Sequence, residues 1–151
     1  MNQAILPELR SVKKNLLSFN AMRFAAVRKL GLALPDVEQA TMYGAPALKV
    51  RGHMFACMAS HKSAEPNTLV VVVGFDQRDE LIAADPNTFY LKDHYVNYPS
   101  VLVRLSRIAP HALRDLLLKG WRFTASAISH VRAGGRRMQA NASVRCEILA
   151  L

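Results

Sequence analysis

His53, Cys57 and His61 recur at four-residue spacing, which on a helix would stack three soft metal ligands on one face. On a strand the same step covers about 13 Å, whereas zinc holds nitrogen and sulfur ligands at about 2.0–2.3 Å. Met54-Phe55-Ala56-Cys57-Met58 reads as a strand, so no shared metal is expected and the three are separate side chains. Nucleophilic chemistry finds no better footing. The chain has no Gly-x-Ser-x-Gly elbow and no Gly-x-x-x-x-Gly-Lys phosphate loop. A cysteine inside an apolar strand is inert filler rather than a thiolate. No catalytic residue, metal or cofactor is assigned.

The densest polar and aromatic stretch is Phe89-Tyr90-Leu91-Lys92-Asp93-His94-Tyr95-Val96-Asn97-Tyr98-Pro99. Three tyrosines and a histidine so close together offer ring faces for stacking and hydroxyls for hydrogen bonds. The histidine is an acid or base with an ordinary pKa near 6.5. Lys49 and Arg104, each placed away from its strand's apolar side, would add positive charge to the same exposed sheet surface. With Tyr43 these residues define a candidate pocket of Tyr43, Lys49, His94, Tyr95, Tyr98 and Arg104 for a small anionic or aromatic ligand, or for a nucleotide base. The competing reading has the tyrosines closing the sheet edge, their hydroxyls bonded to backbone.

These residues need elements to hold them. Ser18 or Asn20 suits the start of a helix, with Met22, Phe24, Ala25, Val27 and Leu30 as its apolar positions and Leu34-Pro35 as its stop. Ala47 to Arg51 alternates apolar and basic residues, and Gly52 then suits the first central position of a tight turn into a returning strand. Thr68 to Val73 is a β-branched run without polar alternation, the pattern of a covered central strand. Asp76 is placed to cap a short helix through Ala84, and Asp85-Pro86-Asn87 closes it. Phe89 to Leu91 and Ser100 to Leu105 read as strands. Pro110 opens a long helix with Leu113, Leu117, Trp121 and Ala125 as its buried stripe. Helices at the ends with strands between them predict an α+β fold: a single antiparallel sheet of about five or six strands with helices packed on one face.

The chain has 151 residues, 51% of them hydrophobic, which suits one domain with its own core. We divide it into an N-terminal extension (1–17), a folded domain (18–131) and a basic flexible tail (132–151). The longest apolar run, Leu69 to Val73, is far short of the roughly 20 residues that span a bilayer. Two distant cysteines, with no signal-like arrangement of basic and apolar residues, point to a reducing cytoplasm. The formal charge is +9, which suggests a polyanionic partner. Residues 31–131, however, hold ten bases against nine acids, so most of the excess lies towards the ends. Basic segments of this kind attract phosphate backbones without reading sequence.

Tyr43-Gly44-Ala45-Pro46-Ala47-Leu48-Lys49-Val50-Arg51-Gly52, then Phe55, then Asp85-Pro86 with Phe89-Tyr90, resembles the MmcQ/YjbR family. A second signature follows in His94-Tyr95, Tyr98-Pro99 and Val101-Leu102-Val103-Arg104-Leu105, with Trp121 in the closing helix. The resemblance covers about residues 18–125. It implies an architecture similar to frataxin/CyaY and a "double-wing" DNA-binding role. Ser100 and Leu48 depart from the Trp and Phe frequent in that family and reduce its aromatic surface. Iron handling of the frataxin kind uses an acidic first helix. Residues 20–34 here contain no acid, and a basic helix repels hard cations.

The resulting expectation is a monomeric protein contacting the DNA backbone without sequence preference. Tyr43, Lys49, Arg51, His94, Tyr95, Tyr98 and Arg104 are the candidate binding residues. Arg23, Arg28 and Lys29 are auxiliary phosphate contacts on the first helix. A small-ligand or enzymatic pocket and a protein-interaction module are the alternatives. No membrane is implied.

Overall fold

A computed structural model describes residues 24–133 of the chain. The proposed 1–17 extension, the first residues of the expected helix and residues 134–151 lie outside that range. The described chain opens on helix α1 over 24–32. Its Val27 is fully buried, while Arg28 and Lys29 are exposed. Gly31 lies directly against the Leu48 side chain, where a Cβ would collide. α1 can therefore approach the sheet closely only because this residue has no side chain.

Six strands follow: β1 (Val37–Met42), β2 (Ala45–Val50), β3 (His53–Met58), β4 (Thr68–Val72), β5 (Phe89–Tyr90) and β6 (Ser100–Arg104). They form one sheet in the order β1-β2-β3-β4-β6-β5, every neighbouring pair antiparallel. Helix α2 (Phe75–Ala84) links β4 to β5, a single 3-10 turn (Asp93–Tyr95) lies between β5 and β6, and α3 (Pro110–Ala133) closes the described chain. This is the α+β class with one antiparallel sheet that the order of elements predicts. β1 goes beyond the sequence reading. Val37-Glu38-Gln39-Ala40-Thr41-Met42, to which the sequence reading assigned no element, has three polar residues among six, and it is an edge strand, half solvated by its position.

Both hairpins at the β1 edge use two-residue turns. Met42 pairs with Ala45 across Tyr43-Gly44, and Val50 pairs with His53 across Arg51-Gly52. All four central residues have positive φ: 50° and 75° in the first turn, 50° and 82° in the second. That is the type I′ geometry whose twist matches the strands it joins, with glycine in the second position. Gly52 is thus the second central residue, not the first, and Arg51 occupies the tip beside it. The expected Asp76 cap also moves. α2 starts at Phe75 after Gly74, whose φ of 91° and tight contact with the Phe123 ring exclude a side chain. Asp76 instead lies in the first turn, where a negative charge still complements the helix dipole.

The core is built on both faces of the sheet. On one face Leu48, Val50, Phe55, Val71 and Val101 meet Val27 of α1 and Leu113, Leu116 and Leu117 of α3, with Leu81 and Ile82 of α2 at its margin. The stripe on α3 turns further than sequence spacing suggests, running through Gly120, Thr124 and Ile128, while Trp121 and Ala125 are only half-buried. The opposite face carries a second cluster of Met54, Cys57, Val70, Val72, Tyr95 and Leu102. It is not the open sheet surface that the sequence reading expected. The cause is in the strands themselves: β4 is buried at all five positions, so its second apolar face also needs cover. The cover comes from Ala59, Ala64, Leu91, Tyr95 and Tyr98, on the chain following β3 and the chain following β5.

Candidate functional site

Arg104 ends β6 on the second face, where its guanidinium stacks on the Tyr90 ring with 4.2 Å from Cζ to the centroid. Nε and Nη2 donate to the two carboxylate oxygens of Glu65 at 2.6 and 2.9 Å, and Nη1 donates to the Pro86 and Asn87 carbonyls at 3.2 and 3.0 Å. A forked contact of this kind fixes direction as well as charge. The Arg104 guanidinium beside Glu65 holds that carboxyl below the ordinary glutamate value. The Tyr90 hydroxyl accepts from the Glu65 backbone N–H at 2.9 Å and lies 2.6 Å from Thr68 Oγ1. Arg104 therefore ties the chain after β3 to the β5 edge, and its donors are engaged within the protein.

The other aromatic candidates gather a short distance away. The His61 and His94 rings stack with centroids 3.6 Å apart and planes 2° from parallel. Tyr95 stands edge-on to both, and Tyr98 lies 6.0 Å from His94. Tyr95 is only 1% exposed and its hydroxyl has no hydrogen-bond partner, nor does His94 Nε2. Burial, followed by the neighbouring His61, lowers the His94 pKa below its ordinary value. The stack fastens the two covering segments to each other. His61 is set there by its own turn, with Nδ1 accepting from the Ser63 backbone N–H at 3.2 Å.

Tyr43 and Tyr95 border one hollow together with Met42, Met54, Cys57 and Met58, too shallow to enclose a water. Burial pushes the Cys57 thiol up to about 12, so at neutral pH it remains a protonated apolar group. Lys49 shares the second face with these residues but stands apart from Arg104. The register sets it between Glu38 on β1 and Met54 on β3, and β3 and β4 separate its strand from β6. The six residues of the expected pocket thus divide between a hairpin, a histidine-tyrosine stack and an arginine-glutamate clamp.

The hairpin turns are different in kind. Tyr43 is 59% exposed at the β1–β2 tip. At the β2–β3 tip Arg51 is exposed, with Nε donating to Asp36 at 3.1 Å and its backbone N–H to the Asp36 carbonyl. Asp36 lies just beyond α1, so this turn sits at the same end of the molecule as that helix's C-terminus. Arg28 and Lys29 point to solvent from α1, and Arg23 precedes the described residues.

Sequence reasoning did not find Glu65, His61 as a stacking partner, or Arg78. Arg78 is 8% exposed on an otherwise acidic helix. It donates to the Val96 and Tyr98 carbonyls at 2.8 and 3.0 Å and anchors the aromatic segment to α2. Nothing near Arg78 in sequence announces those partners, which are 18 and 20 residues away. No helix among the described residues is long and apolar enough to cross a membrane.

The YjbR family model matches residues 32–123, a span from the end of α1 to the middle of α3 that includes both hairpins, the arginine clamp and the aromatic stack. No curated protein and no solved structure gives a match. The motifs around Tyr43–Gly52 and His94–Leu105 are thus set within a family-wide frame, and the chain belongs to the YjbR family.

Proposed function

We propose that this protein binds duplex DNA through the phosphate backbone, without reading base sequence. The observation that carries the reading is the pairing of an exposed two-residue hairpin turn, bearing Arg51, with an α1 whose described residues include two exposed cations and no acid. Lys49 stands on the opposite face of the hairpin strand from α1, across from Glu38, and is left out of this surface. Tyr43, at the other tip, offers a ring and a hydroxyl to the sugar-phosphate chain. Such contacts position a duplex but carry no sequence information. Family membership supports the double-wing reading, with β2 shared by the two hairpins.

Arg104 and Tyr95 have no part in this interface. One is clamped by Glu65 and two carbonyls, the other is buried. Their role, with His94 and Tyr98, is to close the second face of the sheet.

The test is fluorescence anisotropy of the full chain on two unrelated duplexes of equal length, repeated from 50 to 200 mM salt. Similar affinities are expected on both. The logarithm of affinity should fall linearly with the logarithm of salt, by roughly 0.9 per phosphate contacted. A flat salt response, or a strong preference for one duplex, would remove the reading.

A further inference from the structure

We infer that the phosphate-contacting surface continues from α1 onto the outer side of α3, where Arg114, Lys119 and Arg122 join Arg28 and Lys29 in one basic face for duplex DNA. The inference rests on the DNA-binding reading and extends it to residues outside both the hairpins and the first helix. α1 and α3 pack on the same hydrophobic cluster. They are tied by the Trp121 indole N–H, which donates at 2.9 Å to the Pro35 carbonyl just beyond α1. Their solvent sides therefore belong to one side of the molecule.

On that side Arg28, Lys29, Arg114, Lys119 and Arg122 are all exposed, and Asp115 is the one acid in the described part of either helix. None of the five makes an ion pair with another described residue. Arg78, bonded to Asp79 and two carbonyls, and Arg104, bonded to Glu65, are by contrast engaged within the protein. Three exposed acids, Asp76, Asp79 and Glu80, lie on α2, with Asp85 just after it, whereas the described parts of α1 and α3 carry mostly bases. A polyanion is thus drawn to α1 and α3 rather than to α2.

The partner follows from the chemistry of the face. Arg114 and Arg122 are about 12 Å apart along the axis at 1.5 Å per residue, and duplex DNA carries a phosphate charge about every 1.7 Å of its length. A row of that extent meets several phosphates. A lipid surface would call for apolar side chains to insert beside the basic ones. Among the described residues the exposed large hydrophobics are Leu32, Tyr43, Phe75 and Val96, so α3 has none to offer and α1 only Leu32 at its end, and a nucleic-acid backbone fits better.

The experiment uses the full chain with Arg114→Gln, Lys119→Gln and Arg122→Gln together. These are exposed helix positions where glutamine preserves helix formation, and circular dichroism checks the fold. A companion variant removes the same charge elsewhere: Lys62→Gln, Lys92→Gln and Arg107→Gln. On a duplex at 0.1 M salt the α3 variant should bind on the order of a hundred-fold more weakly, with a salt slope shallower by about 2–3. The companion should change the slope by less than about one. Equal losses in the two variants, or an unchanged slope in the α3 variant, would overturn the inference while leaving DNA binding intact. Binding to anionic phosphatidylglycerol vesicles without binding to duplex would overturn the inference, as would absence of duplex binding by the unaltered chain. Either result would also remove the reading beneath it.

Discussion

A cationic side chain in a sequence is not yet a cationic surface. Lys49, Arg51 and Arg104 look alike as alternating bases on strands, yet Arg104 is consumed by Glu65, which is 39 residues away in the chain. The pairing is written in no local pattern. It arises when the chain after β3 folds back over the sheet, so the sequence shows the arginine but not its partner. His94 shows the same limit. It was legible as a titratable group among tyrosines, but the coplanar His61 ring and the buried, unpartnered Nε2 are products of tertiary packing. This has a consequence for stability. Because the folded pKa of His94 is below the unfolded value, the unfolded chain takes up the proton first as pH falls. Stability is therefore full above about 6.5 and is lost as pH drops from there through the lowered folded value. In His94→Phe, which keeps an aromatic ring at the stack, the melting temperature should vary less between pH 7 and 5 than in the unaltered protein. Parallel pH profiles for the two would show that His94 does not carry the effect.

Among the elements, those with strong local signals follow the sequence closely. The β-branched run at 68–73 is a covered strand, Pro110 starts α3, and Gly52 marks a hairpin. Each depends on a preference within a few residues. β1 was not legible because an edge strand needs only one partner and tolerates polar residues. The second apolar cluster was hidden because the strands reveal that they need cover on both faces, but not what supplies it. One close contact sets how α3 lies on the sheet. A Cβ added at Gly120 would stand 2.8 Å from Val71 Cγ1 and 3.1 Å from the Val72 carbonyl oxygen. A helix-interior glycine ordinarily costs about 1 kcal/mol relative to alanine, but here overpacking of about 1–3 kcal/mol opposes that gain. The backbone oxygen cannot swing aside. Gly120→Ala should therefore lower the urea midpoint despite the better helix former, whereas an increase would mean that α3 rides further from the sheet than the structure has it.

For the molecule as a whole, net charge misleads about where a partner binds. Counted along the chain, residues 31–131 are almost neutral. Folding sorts the signs by helix, with exposed acids on α2 and exposed bases on α1 and α3. That sorting was not visible in a running count, because it depends on which cations are held inside the fold and which helix sides face water. It also divides the sequence candidates. Arg28, Lys29 and Arg51 stand at the proposed interface, while His94, Tyr95, Tyr98 and Arg104 hold the far side of the sheet together. Amide chemical-shift mapping of the full chain with a short duplex tests this division most directly. The account predicts perturbations at the Tyr43-Gly44 and Arg51-Gly52 turns and along the solvent sides of α1 and α3, with α2 and the His61–His94 stack unmoved. Shifts concentrated on α2 or around that stack, with the helix face silent, would contradict it.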